Sequence, residues 1–395
     1  MRPPDDDLGE LGGVDPIDAE VPAAEPLPPL ARLIEPFRMR AALGLEAARA
    51  PALFLVPLGF GLGPRASGIL SEEAIAHMDM AVSVALAALG IFIGLALDLR
   101  HGPERRLLAA ASAEAVGTLG IVGAAVLFLL ARWNLPLDEP APVVALALGV
   151  CAAASSGSAS MRPTARIQPL AARIADLDDV LPVVVGGFVL AFLGAPAALA
   201  AARMTLVTAL VGLGVGLAGW LLFERAHGPA ERGVFVLGSV VLLGGSAAYM
   251  AQSALLAGMT AGLFWRLAPG RADRVIHDDL RRIQHPLVVL LLLVAGASLA
   301  PGRTALWLLA PLVLFRLVGK LVGAWVASRL IAEPAAPADL GAHLLPPGVI
   351  GIGFALAFQQ FSGSPTGAAV VTATAATAVA SELLAVAALA ERRRG

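Results

Sequence analysis

Two adjacent carboxylates, Asp178 and Asp179, lie inside an apolar stretch that runs to about Leu193. With the residues before it, this stretch is long enough to cross a bilayer at about 1.5 Å per helical residue, which puts the pair near mid-membrane. An ionised carboxylate at that depth costs roughly a few to more than ten kcal/mol unless water, a cation or a basic group meets it. Two neighbouring carboxylates also resist double ionisation because their charges repel. The pair is therefore a candidate site for protons or a cation.

Pro182 strengthens this interpretation because it follows Asp178 by four residues. A proline has no backbone N–H, so the carbonyl of Asp178 lacks its usual helical donor. Two carboxylates and one unpaired carbonyl are oxygen ligands, which hard alkali cations prefer. The sequence predicts that Asp178 and Asp179 bind a transported alkali cation, and it predicts no bound cofactor.

A second charged position lies in a later apolar segment. Lys320 lies well over halfway along this predicted span, and Arg316 precedes it by one helical turn on the same face. A lysine this deep needs a carboxylate partner, and Asp178 or Asp179 is the natural candidate. The alternative is a lysine that extends its ammonium group to the membrane surface. Arg316 is a candidate for a supporting role.

Two further carboxylates, Glu114 and Glu382, also fall inside apolar segments. Each is either a secondary proton site or a hydrogen-bonded structural carboxyl. The chain has one cysteine, Cys151, which excludes a disulfide framework and a cysteine-based metal site. No nucleotide-binding loop, zinc motif or nucleophile–base pair is visible, so an enzyme is not indicated.

The composition is that of a polytopic membrane protein. Of 395 residues, 58% are hydrophobic and only 15% are charged, with a mean hydropathy of +0.80. The net charge of -2 favours neither nucleic acid nor an acidic partner. Hydropathy predicts an all-α fold of about twelve transmembrane helices. The approximate spans are 51–65, 75–99, 106–131, 142–161, 170–194, 197–223, 233–251, 254–267, 284–300, 303–330, 342–361 and 366–390, of which 51–65 and 254–267 are short.

The fourth and eleventh segments are predicted to be broken helices. The fourth contains a run of small polar residues beginning with Ser155 and Ser156, and the eleventh contains Pro346, Pro347 and Gly348. Irregular backbone is tolerated at membrane depth only where it is buried in protein or lines a cavity. Broken segments in corresponding halves are typical of inverted repeats around a binding site. The alternative is a pair of flexible helices rich in small residues that only pack.

Basic residues alternate in density between successive loops, which predicts cytoplasmic termini and an even number of spans. Twelve spans fit this pattern, and ten would also fit if neither short segment crosses the membrane. Residues 1–30 are predicted to be a disordered acidic, proline-rich tail, and residues 31–49 an amphipathic segment at the membrane interface. The transmembrane domain is predicted over residues 51–390, followed by a basic cytoplasmic tail at 391–395. A multi-pass protein of the cell membrane is expected.

The ordered set of motifs resembles the monovalent cation/proton antiporter superfamily, and within it the bacterial sodium/proton antiporters with an Asp-Asp pair. The resemblance covers roughly residues 51–390. The motifs that carry it are Phe60 to Pro64, Phe92 to Leu99, Ser155 to Arg166, Leu177 to Leu181, Val289 to Leu299, Arg316 to Gly323 and Pro346 to Ala357.

This resemblance implies a homodimer that works by alternating access. Asp179 would carry the cation and the proton, and Asp178 would form an ion pair with Lys320 that breaks when the cation binds. Sodium is the expected cation, with lithium or potassium as alternatives. Two other functions remain open: a sodium-coupled symporter of an organic anion with the same fold, and a membrane sensor that does not transport.

Overall fold

The computed structural model describes residues 51–97, 102–155, 168–269, 272–331, 340–345 and 347–392. The predicted tail at 1–30 and the interfacial segment at 31–49 lie outside these ranges. Of the predicted tail at 391–395, only the first two residues are described, as the end of the last helix.

Every regular element in the described ranges is an α-helix. In chain order the helices are α1 (Pro51–Leu62), α2 (Glu72–His77), α3 (Asp79–Ala96), α4 (Gly102–Trp133), α5 (Ala141–Ala153), α6 (Gln168–Asp178), α7 (Val180–Gly194), α8 (Ala198–Arg225), α9 (Pro229–Tyr249), α10 (Ala254–Leu267), α11 (Ala272–Ala297), α12 (Arg303–Ile331), α13 (Leu340–His343), α14 (Val349–Ser362) and α15 (Pro365–Arg392).

Each of the twelve predicted segments corresponds to an apolar helix. Among the described residues, seven helical stretches are long and apolar enough to cross a membrane: α3, α4, α6 with α7, α8, α9, α12 and α15. Five shorter apolar helices, α1, α5, α10, the second half of α11 and α14, take the remaining positions. The predicted all-α polytopic fold is confirmed.

The short eighth segment is α10, whose 14 residues reach about 21 Å, less than the hydrocarbon thickness. It packs between α3 and α8, and Trp265 at its far end is almost fully buried. The indole N–H of Trp265 donates to the carbonyl of Gly216 on α8 at 2.6 Å. This helix is therefore surrounded by protein along most of its length.

The helices around the two broken segments form one group. In it α4 packs on α5 and α12, α15 packs on α12 and α14, and α5 packs on α7 and α14. In a second group α3 packs on α9, α10 and α11, and α1 packs on α11. Helix α6 also packs on α4, so the first group contains Asp178, Asp179 and Lys320. The fold therefore places both charged positions of the sequence among the same helices.

Tryptophans mark the two ends of α12. Trp307 contacts Trp133 of α4, with ring centroids 5.1 Å apart, and the guanidinium of Arg329 lies 4.9 Å from the ring of Trp325. The two tryptophans of α12 are eighteen residues apart, or about 27 Å, close to the thickness of the hydrocarbon core. Lys320 lies between them, about 7 Å before Trp325 along the helix.

Candidate cation and proton site

The two broken helices meet backbone to backbone. Helix α5 ends at Ala153, and the chain continues extended through Ala154 to Ser155, while α13 and α14 are separated by an extended stretch that includes Pro347. Ser155 and Pro347 form an antiparallel bridge, and the N–H of Gly348 donates to the carbonyl of Ala154 at 3.3 Å. The prediction of two broken segments is confirmed. Proline cannot donate a helical hydrogen bond and disfavours helix in the residue before it, which explains the break before α14.

The adjacent aspartates lie at a third discontinuity. Asp178 is the last residue of α6, and α7 begins at Val180, so Asp179 is the junction. Both carboxylates are buried, with relative exposures of 0% and 6%. The hydroxyl of Ser155 donates to the carbonyl of Leu344 at 3.2 Å. This hydroxyl lies close to Asp178, and the backbone amide of Ser155 lies close to Asp179. The Oδ1 atoms of both aspartates have no hydrogen-bond partner within the described part of the chain, so each keeps an oxygen available for a proton or a cation.

Lys320 is fully buried beside this pair. Its Nζ lies 3.2 Å from Oδ2 of Asp178 and also donates to the carbonyl of Ala153, the last residue of α5. The ammonium group is thus inside the protein rather than at the membrane surface. Of the two aspartates that the sequence offered as partners, the ion pair joins Lys320 to Asp178.

The sequence did not predict Glu114 as a second partner of Lys320. Its Oε1 lies 3.1 Å from the lysine Nζ, both side chains are fully buried, and the hydroxyl of Thr118 donates to the same oxygen at 2.8 Å. Helices α4 and α12 approach closely here: a Cβ added at Gly323 would lie 2.7 Å from the carbonyl oxygen of Glu114, and one added at Gly319 would lie 3.0 Å from the Cα of Thr118. Two glycines lie four residues apart on α12 and face a carboxylate on another apolar segment. This pattern is the sequence signal that could have shown the pairing.

Arg316 joins the two breaks. One guanidinium nitrogen donates to the carbonyl of Leu345 at 2.6 Å, and the other donates to that of Ala154 at 3.1 Å. These carbonyls follow the C-terminal ends of α13 and α5, where helical carbonyls lack partners and the dipole is negative. Arg316 therefore holds the crossing together without contacting either aspartate directly.

Glu382 does not join this cluster. Its carboxylate accepts hydrogen bonds from the backbone amides of Ala52 at 3.3 Å and Leu53 at 2.7 Å, in the first turn of α1. These contacts fit the structural alternative for this residue, because a carboxylate at a helix N-terminus satisfies unpaired amides and the positive end of the dipole. Ser156, the other predicted supporting residue, lies outside the described residues.

The described cluster combines three buried carboxylates with two buried basic side chains beside the broken helices. When all five are ionised, the carboxylates exceed the basic groups by one charge. One monovalent cation or one proton balances that charge. Within the ranges described, no group of three or more histidine, cysteine, aspartate or glutamate side chains has the spacing of a metal site.

A multi-pass membrane protein whose broken helices cross beside buried carboxylates has the architecture of a secondary transporter. Structures of the sodium proton antiporter MjNhaP1 from Methanocaldococcus jannaschii share this fold. The structure at pH 8 matches 91% of this chain and 100% of its own with a TM-score of 0.61 and 16% identity. An electron microscopy structure matches 92% and 96% with a TM-score of 0.62 and 17% identity.

At this identity the likeness establishes the fold, and the resemblance to the monovalent cation/proton antiporter superfamily is confirmed at that level. No protein-family model matches the chain, and no curated protein sequence matches it either.

Proposed function

We propose that this protein is a secondary antiporter that exchanges a monovalent cation, with sodium as the first candidate and lithium or potassium as alternatives, for protons by alternating access. The observation that carries the proposal is the pair of buried Oδ1 atoms of Asp178 and Asp179, which have no hydrogen-bond partner in the described part of the protein. The shared fold with sodium/proton antiporter structures supports it.

Exchange follows from competition for these oxygens. A cation at the pair needs ionised carboxylates, whereas a proton neutralises one of them, so the two ligands exclude each other. Asp179 is the proposed carrier because its carboxylate lies at the helix junction and is not paired with Lys320. Asp178 shares its negative charge with Lys320, and cation binding would compete with that ion pair. Ser155 is the proposed supporting ligand.

We further propose a ratio of one proton per cation. If Lys320 lost its proton when the cation bound, two protons would exchange for one cation and each cycle would move net charge. Glu114 opposes this loss because it stays beside the ammonium group at 3.1 Å when Asp178 turns to the cation. The single excess negative charge of the cluster also matches one cation or one proton.

The proposed setting is the cell membrane, with both termini in the cytoplasm and the protein as a homodimer. The orientation rests on the alternation of basic loops in the sequence, and the dimer rests on the resemblance to the antiporters. Every proposed ligand lies inside a single chain.

Reconstitution in liposomes with an internal pH dye tests the exchange. Addition of sodium, lithium or potassium should change the internal pH, while an impermeant salt should not. Asp179→Asn should abolish the change because it removes the ionisable carboxylate and keeps the shape of the side chain. Asp176→Asn is the matched control, since Asp176 is an exposed aspartate of α6, three residues before Asp179, and it should retain exchange.

Two results would overturn the proposal. The first is full exchange by Asp179→Asn. The second is the absence of a pH response to any of these cations by folded wild-type protein over a range of pH. Cation uptake without proton movement would instead favour the symporter.

A further inference from the structure

A small cavity lies behind the helix crossing, at the junction of α5, α12, α14 and α15. Its lining includes Arg316, Gly348 and Cys151, together with Thr374 and Thr377 of α15. It has room for about one water molecule and no more. None of the cation-binding candidates Asp178, Asp179 and Ser155 lines it, so it is separate from the proposed transport site.

Thr374 and Thr377 are buried, with relative exposures of 6% and 4%, and neither hydroxyl has a hydrogen-bond partner within the ranges described. This is unusual for helical threonines, whose hydroxyls commonly donate to a carbonyl one turn earlier. Thr372 on the same helix does so, donating to the carbonyl of Ala368 at 2.7 Å. The hydroxyl of Thr374 faces the thiol of Cys151, which is only a weak partner. A buried hydroxyl without a partner destabilises the fold, because it has lost its hydrogen bonds to water.

The cavity also faces the start of α14, a helix of 14 residues. Gly348 at the cap position provides no side-chain hydrogen bond to the first-turn amides. Two unpaired hydroxyls therefore face this small space beside the first turn of α14, and each of them can both donate and accept.

We propose that this cavity is a binding site for one ordered water molecule, which bridges the hydroxyls of Thr374 and Thr377. A halide is disfavoured because it is larger than a water molecule and the cavity has room for about one water. A cation is disfavoured by Arg316 and by the positive end of the α14 dipole. Water is neutral and matches both the donors and the acceptors. The site supports the broken backbone of the eleventh segment and does not depend on the proposed antiport.

The sign of a stability change tests this site. Thr377→Val keeps the shape of the side chain and removes its hydroxyl. If water is bound, the variant loses its hydrogen bond and its melting temperature falls by about one to four degrees. If the cavity is dry, the same change removes an unpaired buried hydroxyl, and the melting temperature stays equal or rises. Thr374→Val should behave in the same way and provides a second reading if the first variant does not fold.

Thr372→Val is the matched control. The Thr372 hydroxyl donates to Ala368 and accepts from the N–H of Ala300 at 2.9 Å, so its loss should lower the melting temperature whether or not the cavity holds water. A halide in the cavity is tested by replacing chloride with gluconate at constant ionic strength. With water bound, the difference in melting temperature between wild type and Thr377→Val is the same in chloride and in gluconate. A melting-temperature difference that disappears without chloride would overturn the proposal. So would a melting temperature of both cavity variants that equals or exceeds that of the wild type.

Discussion

At the scale of single residues, the unusual feature is a buried lysine held by two carboxylates from different helices. Lys320 contacts Asp178 of α6 and Glu114 of α4 at 3.2 and 3.1 Å. A buried ion pair needs such additional partners, because the loss of hydration of each ion is otherwise not offset. In the proposed exchange, Glu114 would remain the partner of the ammonium group when Asp178 turns to the cation.

We therefore expect Glu114→Gln to change the charge moved per cycle. Without Glu114 the ionised cluster is neutral, so a bound cation leaves one uncompensated positive charge. Loss of the Lys320 proton removes that charge, and two protons then exchange for one cation. Exchange by the variant should respond to an imposed membrane potential, at about 2.3 kcal/mol per elementary charge per 100 mV, while wild-type exchange should not. The measurement is the cation-driven pH change in liposomes clamped at two potassium diffusion potentials.

Glu382→Gln is the control for that experiment, because it neutralises a buried carboxyl that contacts α1 rather than the cluster. It should leave exchange independent of the potential. Strong dependence on potential in the wild type would contradict the one-to-one ratio without affecting the evidence for exchange itself.

The sequence predicted Asp178, Asp179 and Lys320 because a charged side chain inside an apolar segment is costly enough to be informative alone. It could not separate Glu114 from Glu382, which have the same kind of apolar surroundings in the chain. Their different roles depend on which helices face each other: α4 turns Glu114 towards α12, whereas α15 turns Glu382 towards the start of α1. Tertiary packing decides which distant helices face each other, so the periodicity of a single segment does not reveal it.

At the scale of elements, the close contact of α4 with α12 sets the position of the buried lysine. Gly319 and Gly323 on α12 lie against the backbone of α4, so neither has room for a larger side chain. The breaks in the fourth and eleventh segments were predictable from serine, proline and glycine. Their pairing through Ser155 and Pro347 was not, because it joins residues far apart in the chain.

Gly323→Ala should weaken this contact. The added Cβ would lie 2.7 Å from the carbonyl oxygen of Glu114, so α4 must move away from α12, at a cost of about 1–3 kcal/mol. We expect a lower melting temperature and slower exchange, since Lys320 and Glu114 separate. Gly120→Ala is the control: it lies on α4 with no atom within 4 Å of the added Cβ, and alanine favours helix. Equal stability of the two variants would show that the contact does not position the pair.

At the scale of the whole molecule, loops from distant segments meet on one face. Arg65, after α1, donates to the carbonyl of Leu299 after α11 at 3.0 Å. The carboxylate of Asp138, before α5, accepts from the hydroxyl of Thr366 at 3.0 Å. An even number of apolar segments separates each of these loops from the others. This count agrees with all of them lying on one side of the membrane. The sequence assigns this face to the outside because basic residues are sparse there.

Labelling of single cysteines tests the proposed orientation. The native Cys151 is buried, so wild-type protein should not react with an impermeant thiol reagent and serves as the background. Ser67→Cys places a thiol in the exposed loop after α1, and His227→Cys places one in the exposed loop between α8 and α9. An odd number of spans separates these loops, so they must lie on opposite sides. In intact cells only Ser67→Cys should react, and His227→Cys should react after the membrane is opened. The reverse pattern would invert the termini and the direction of transport, whereas reaction of both in intact cells would contradict twelve spans.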